Sequence, residues 1–370
     1  MFSLVTQIEY HLRRVQSLIP SDVNMKEYLR QVLDDQIASV SVRTSMGIIP
    51  PSLLSSTQVY ASARIAVELV DDPLRLAGKP EGIVDLGTIE WILRPALPLR
   101  DGRIQHVTSG PWQGLATDTI EYTARSVCRL DIVVEGYMPI HIGTGFITGK
   151  DVHGRTVIMT AAHVIEEAVR YGWPDTTGFM FMCDFERYST SDPPEHLLPL
   201  TNEYHIHPYY DLALVYLDQE HIENINIPST PLVLSSTAPE PLIGFTIGVL
   251  GHPSFNSSLD HFPTYFGFGE EFGIKRFSPG QIRMMEHRYW RDQDVNIILH
   301  DATTLSGNSG SCILNLNDMK VVGLHFGGWP RTARLTNVGD RGVLAQLFEA
   351  NGAVPLWTLR DDPLVQALFP

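Results

Sequence analysis

Cysteine is scarce in this chain: Cys128, Cys183 and Cys312 are the three thiols in 370 residues. So few cannot staple a secreted scaffold with disulfides, and a reducing compartment is expected. Basic residues are also few, 27 Lys and Arg against 42 Asp and Glu, for a net charge of −15. A chain this acidic, with no run of Lys or Arg, repels phosphate backbones and anionic lipid, so neither nucleic acid nor membrane is expected as a partner. No apolar stretch approaches the roughly 18 uninterrupted residues of a membrane span. The opening MFSLVTQIEYHLRRVQSL lacks a secretory layout, because Glu9 and His11 interrupt the apolar run and the positive charges follow it. Repeats and low-complexity tracts are missing too, and a cytoplasmic protein is the expectation. What is present is ordinary globular composition, 44% apolar and 19% charged, which excludes wholesale disorder. At about 100–200 residues per domain, the length suggests two domains, or one large domain with an extension.

Three zones are predicted. Over residues 1–72, Ile8, Leu12, Val15 and Leu18 recur at helical spacing, Pro20-Ser21-Asp22 supplies a stop and a new cap, and Tyr28, Leu29, Val32, Leu33, Ile37 and Val40 form a second stripe. Val59, Ala63, Ala66 and Val70 share a third face, so a small α-helical bundle is expected. Residues 73–120, with Pro80, Pro95, Pro98 and Pro111, read as a connector that packs through Trp91, Ile92, Leu97 and Trp112. Residues 121–370 become short β-rich runs separated by turns: SVCRLDIVV, HIGTGFITG, RTVIMTAAHV, GFMFMCDF, DLALVYLD, IGFTIGVLG, VNIILHD, SCILNL and KVVGLHFGG. Many short strands at this spacing predict an antiparallel sandwich or barrel pair. The tail PLWTLRDDPLVQALF has the spacing of a closing helix.

The β-rich zone holds the groups needed for acyl transfer. Ser309 lies between glycines in Ser306-Gly307-Asn308-Ser309-Gly310-Ser311, where the backbone can turn sharply and present a hydroxyl. A serine hydroxyl is a weak nucleophile and needs a base, for which His163 in Thr160-Ala161-Ala162-His163 is the candidate. An imidazole needs a carboxylate to fix its tautomer, for which Asp211 in His207-Pro208-Tyr209-Tyr210-Asp211-Leu212-Ala213 is the candidate. The histidine and aspartate lie 48 residues apart, and the aspartate and serine 98.

In that order and spacing, the chain resembles the trypsin-like (chymotrypsin-fold) serine peptidases, over about residues 121–350. Gly143-Thr144-Gly145-Phe146 also matches the strand that precedes the family's histidine. The resemblance implies a mainly β fold, a double six-stranded antiparallel β-barrel with the triad in the cleft, here preceded by a small α-helical domain. It further implies that the backbone N–H groups of Gly307 and Ser309 form an oxyanion hole, each donor being worth roughly 3 kcal/mol to the transition state. Phe326, Gly327 and Gly328 fall where the family pairs the substrate backbone as an added strand.

Two departures direct the resemblance toward the bacterial glutamyl-endopeptidase and viral-type branch. Val164 replaces the cysteine that follows the histidine in secreted animal members. Asn308 replaces the aspartate that pairs with a freed N-terminus on zymogen activation. Val322-Gly323-Leu324-His325-Phe326-Gly327-Gly328 is similar to that branch's segment whose histidine lines the specificity pocket, and Thr304 matches a hydroxyl lining the same pocket. His325 and Thr304 together imply a preference for Glu or Gln, or Asp, before the scissile bond. The simpler alternative makes His325 a satisfied core histidine. His205 and His207, two apart, are read as structural rather than metal-binding, as are His141, His252 and His300. Asp131, Asp184 and Asp301 are read as turn residues, Cys312 as a buried inert thiol, and the Gly267–Gly273 run as a loop bordering the cleft. No metal or cofactor is implied.

The expected activity is thus that of a serine endopeptidase with protein substrates. Its N-terminal helices suit a protein partner, self-association or autoinhibition, resembling adaptors fused to bacterial stress or antiphage effector peptidases. A catalytically silent trypsin-fold adaptor and a viral-type self-processing protease are the alternatives.

Overall fold

Each of the nine β-rich runs becomes a strand in the computed structural model, which describes residues 96–104, 114–134, 136–176, 178–185, 197–218, 230–254, 272–290, 293–328 and 351–370, together with Asn24, Glu27, Arg94 and Trp112. The helices expected over residues 1–72 fall almost wholly outside the described residues, as do Trp91, Ile92 and most of the Gly267–Gly273 run.

In chain order the strands are β1 (Leu97–Arg100), β2 (Arg103–Ile104), β3 (Val127–Val134), β4 (Ile140–Lys150), β5 (Thr156–Thr160), β6 (Phe179–Asp184), β7 (Leu198–Ile206), β8 (Ala213–Leu217), β9 (Thr246–Gly251), β10 (Arg276–Trp290), β11 (Gln293–His300), β12 (Cys312–Asn315), β13 (Val321–Gly328) and β14 (Asn351–Pro355). Helix α1 (Thr117–Ala124) precedes β3, and α2 (Ala162–Tyr171) follows β5 after one residue. Strands β3-β4-β5-β8-β7-β6 close into a six-stranded antiparallel barrel, which leaves none of those strands with a free edge. The rest form an eight-stranded sheet in the order β11-β14-β13-β12-β9-β10-β1-β2, in which β10 also pairs with β11.

The junction between the two units explains why β5 and β8 read as unbroken apolar runs. Every residue of both strands is buried. Ile158, Ala213, Val215 and Leu217 pack with Leu130, Phe181 and Leu198 of the barrel. Val157, Met159, Leu214 and Tyr216 pack with Leu250, Leu324 and Val354 of the sheet. With no solvent-facing side, these strands have no alternation to display. Buried Lys275 also crosses the junction, its Nζ donating to the carbonyls of Ala124 (2.7 Å) and Phe185 (2.8 Å).

Three expectations need correction. The tail is not a helix: after β14 come two short 3₁₀ turns, Leu356–Leu359 and Gln366–Leu368. Asp361-Asp362-Pro363 separates them, and a proline cannot supply the N–H that a continuing helix requires. Part of the connector is sheet, because Leu97 pairs with Phe277 and Pro98 with Arg276, and Leu97 and Leu99 are buried in the sheet's core. Its end is helix α1, whose Glu121 accepts from the Ile104 N–H at 2.9 Å. Asp131, Asp184 and Asp301 are not turn residues, and Asp184 ends β6, buried and opposite Arg129 of β3. Asp131 lies buried in β3 against Arg129 at 2.7 Å, and Asp301 lies buried between Arg94, at 2.7 Å, and Arg283.

Among the described residues, no helix is long and apolar enough to cross a membrane. Cys128, Cys183 and Cys312 are buried free thiols, and burial pushes Cys312 up to about 12. A thiol so protonated is a poor nucleophile.

Candidate active site

The β5–α2 corner places His163. Thr160 ends the strand, Ala161 holds an extended backbone at φ −74° and ψ 145°, and His163 is the second residue of the helix. Its side chain therefore projects from a first helical turn packed on the barrel, and it is the exposed member of a mostly buried corner, at 40%.

Asp211 is presented by a tight turn between β7 and β8 that His207 organises. The buried His207 ring accepts at Nδ1 from the N–H groups of Tyr209 (3.1 Å) and Tyr210 (3.0 Å). Its proton is thereby left on Nε2, which donates to Asp362 Oδ2 at 3.2 Å. The turn is closed by His207 N–H to the Leu212 carbonyl, 2.8 Å. His205, by contrast, meets Glu203 at 3.4 Å, so the two histidines serve different partners.

His163 and Asp211 meet through two bonds. Asp211 Oδ2 faces His163 Nδ1 at 2.7 Å, and Oδ1 accepts the His163 backbone N–H at 2.9 Å. The carboxylate, 5% exposed, thus grips ring and backbone together and leaves the ring little freedom to rotate. With Nδ1 protonated toward Asp211, Nε2 is the ring's basic nitrogen.

Ser309 sits in the turn before β12. Its carbonyl accepts from Thr144 N–H (2.8 Å), Gly310 N–H donates to the His325 carbonyl (2.7 Å), and His325 N–H donates to the Ser311 carbonyl (2.9 Å). The hydroxyl donates to the Phe326 carbonyl at 3.3 Å. Gly143 marks where the serine and histidine segments converge. A Cβ there would lie 2.6 Å from Val164 Cγ2 and 3.2 Å from the Ser309 carbonyl, so only glycine lets helix α2 and the serine turn approach β4 together.

Gly307 holds φ +85°, and a Cβ would meet the His252 carbonyl at 2.6 Å and His141 Cε1 at 2.7 Å. Its carbonyl accepts from Thr144 Oγ1 at 2.7 Å, while the preceding carbonyl, of Ser306, accepts from Ser254 N–H at 2.6 Å.

His325 is buried. Its Nδ1 faces Nε2 of buried His300 at 3.1 Å, and the ring also bonds the Gly352 backbone. Phe326 is half-buried and packs against the cores of both units. Thr304 is half-buried; its neighbour Thr303 is buried and donates to the Arg94 carbonyl at 2.6 Å. Asn308 is buried and accepts from Ser311 Oγ at 3.5 Å.

Burial sets the charge of the surrounding histidines. Desolvation pushes His300 down to about 3, aided by the Arg94 guanidinium. It likewise holds His325 and His252 well below the ordinary value of 6.5, against the weaker pull of Asp211 and the Gly352 backbone on His325. All three are neutral near pH 7. Below about pH 6.5 the unfolded chain binds protons on these residues that the folded chain refuses, so stability falls as pH falls. The melting temperature is therefore expected to drop steadily from pH 7 toward pH 4; a profile flat over that span contradicts the assignment.

In the sequence Thr144 stands out only as part of Gly143-Thr144-Gly145-Phe146, and His207 reads as structural, which its bonds to Tyr209, Tyr210 and Asp362 bear out without the sequence showing what it holds. A threonine between two glycines on a strand, and a histidine opening a turn that ends in the candidate aspartate, were the available signals.

Residues 143–324, just under half of the chain, match the model of the trypsin-like peptidase domain family. A probable serine protease of Lysobacter enzymogenes is 38% identical over 87 residues, 22% of either protein. The match thus spans about a fifth of that relative. Among solved structures, an inactive form of Rv3671c from Mycobacterium tuberculosis H37Rv is similar at TM-score 0.41 and 18% identity, over 72% of this chain and 98% of that one. A scabies mite inactivated protease paralogue is similar at TM-score 0.43 and 12% identity, over 67% and 95%.

Proposed function

We propose that the chain is a serine endopeptidase in which Ser309, His163 and Asp211 are the catalytic residues. The observation that carries this reading is the two-point grip of Asp211 on His163, 2.7 Å to the ring and 2.9 Å to the backbone. No fold requirement calls for a buried carboxylate to orient a half-exposed imidazole, whereas general-base catalysis does.

In the proposed reaction, Ser309 Oγ attacks the peptide carbonyl carbon while His163 Nε2 takes its proton. The carbonyl oxygen becomes an oxyanion facing the N–H groups of Gly307 and Ser309. The C–N bond then breaks, the imidazolium returns the proton to the leaving amine, and an acyl-serine remains. Water, deprotonated by His163, attacks that ester and releases the acid and free Ser309. Asp211 stays ionised throughout and holds the imidazolium.

Phe326, Gly327 and Gly328 would pair the substrate backbone along β13, and His325 with Thr304 would favour Glu or Gln, or Asp, before the scissile bond. A neutral ring and a hydroxyl suit hydrogen bonding to a carboxylate or carboxamide. His325 can serve only by exchanging a partner it already has, the Gly352 backbone or His300. The circle of pairings β9-β10-β11-β14-β13-β12 is read as the second barrel. Residues 1–72 are assigned a regulatory helical role toward a protein partner or a second copy, 73–120 a connecting one, and 121–370 the peptidase, acting as an intracellular stress or antiphage effector. Resemblance at motif level supports these finer assignments.

The test is covalent labelling of the full chain with a fluorophosphonate. A single adduct on Ser309, absent after His163→Ala, is expected. A folded protein that takes no label identifies a silent module instead.

A further inference from the structure

We infer that Thr144, on β4 of the barrel, is a positioning residue that fixes the orientation of the Gly307 peptide groups. The inference rests on Gly307 being an oxyanion donor, as proposed above.

Thr144 is fully buried and uses every polar atom it has. Its N–H donates to the Ser309 carbonyl at 2.8 Å, and its carbonyl accepts from Thr160 Oγ1 at 2.7 Å. Its hydroxyl donates to the Gly307 carbonyl at 2.7 Å and accepts from the His252 N–H at 3.0 Å. The first pair anchors the residue within the barrel and under the serine. The second pair makes one hydroxyl the link between the barrel, the serine turn and the residue that follows β9.

The chemistry of Gly307 gives this link a consequence. A glycine at φ +85° has no Cβ to oppose rotation of the peptides on either side of it. In a trans peptide the C=O and N–H point in opposite directions. The Ser306 carbonyl, held by Ser254 N–H at 2.6 Å, therefore directs the Gly307 N–H away from Ser254. The next carbonyl, that of Gly307 itself, is held by Thr144 Oγ1. With both carbonyls tied, the Gly307 N–H cannot turn away. With the Thr144 tie cut, the Ser254 bond and the longer Asn308 N–H bond to the Leu305 carbonyl, 3.1 Å, are left to resist rotation. Preorganised donors are effective because they need no rearrangement when charge develops, so loss of this tie should slow the chemical step while leaving substrate binding alone.

The experiment measures the rate of fluorophosphonate labelling of Ser309 in the wild type, Thr144→Val and Thr144→Ser, each shown to be folded by circular dichroism. Valine keeps the shape and deletes the hydroxyl, and its labelling should be about 10²-fold slower, the scale on which catalysis responds to small misplacement. Serine restores the hydroxyl and should label within about threefold of wild type. On a peptide that the wild type cleaves, the valine variant should lose kcat and keep KM, a split that a general loosening of the fold does not produce. Should valine fail to fold, Thr144→Ala, which leaves room for a water, carries the same expectation. Failure of both to fold overturns a role confined to the turn. Labelling of Thr144→Val at the wild-type rate, or equal slowing in the serine variant, overturns the inference alone. Absence of wild-type labelling overturns the proposed function and this inference with it.

Discussion

Replacing Ser309 by alanine is expected to lower kcat by about 10⁶-fold while leaving the melting temperature within a few degrees of wild type. The chemical reason is that the buried hydroxyls of Thr144 and Ser311 are committed elsewhere, Thr144 Oγ1 donating to the Gly307 carbonyl and Ser311 Oγ to Asn308 Oδ1. The structural reason is that the Ser309 hydroxyl makes a long bond of 3.3 Å to the Phe326 carbonyl at a partly buried site, so its loss strands no deeply buried partner. Binding should survive, because the β13 backbone that would pair the substrate is untouched. Hydrolysis of a peptide by wild type and variant, with binding followed separately, checks this. Retained turnover in Ser309→Ala removes the serine from the mechanism.

Asp211→Asn should cost about 10⁴-fold in kcat with KM little changed. The amide oxygen can still accept the His163 backbone N–H now held at 2.9 Å, so the corner keeps its geometry. The amide nitrogen then faces Nδ1 across the present 2.7 Å contact and donates to it. This puts the ring proton on Nε2, the nitrogen that must be free to take the Ser309 proton. The imidazolium also loses its counter-charge in a site where little solvent replaces it. Steady-state kinetics together with the chemical shift of the His163 ring nitrogens checks both parts. A variant of full activity, or one whose ring keeps its tautomer, contradicts the role given to Asp211.

How far the sequence reveals the fold depends on what each segment must satisfy. Strands buried on one or both sides announce themselves, as TVIMT and ALVYL do in β5 and β8. Strand β10 does not: Pro279-Gly280 lies inside it, opposite Gly248 and Ile247 of β9, and reads as a turn. Its pairing is decided by neighbours distant in sequence, which no local pattern reports. The closing segment misleads for a related reason, since Leu356 and Leu359 are buried in the first 3₁₀ turn and Val365 just before the second, rather than along one helical face. The candidate site is legible where chemistry demands a rare residue in a fixed setting, as at His163, Asp211 and Ser309. It is silent where an ordinary residue acts through hydrogen bonds made in three dimensions. Thr144, His207 and the buried Arg94–Asp301 pair belong to that second group, and nothing in their composition marks them.

The most direct test of a Ser309-dependent endopeptidase is digestion of a mixed peptide library by the full chain and by its Ser309→Ala variant, with cut sites read by mass spectrometry. Cuts that follow Glu or Gln and vanish in the variant are the predicted result. A wild type that labels at Ser309 and yet cleaves no bond the variant spares would contradict it.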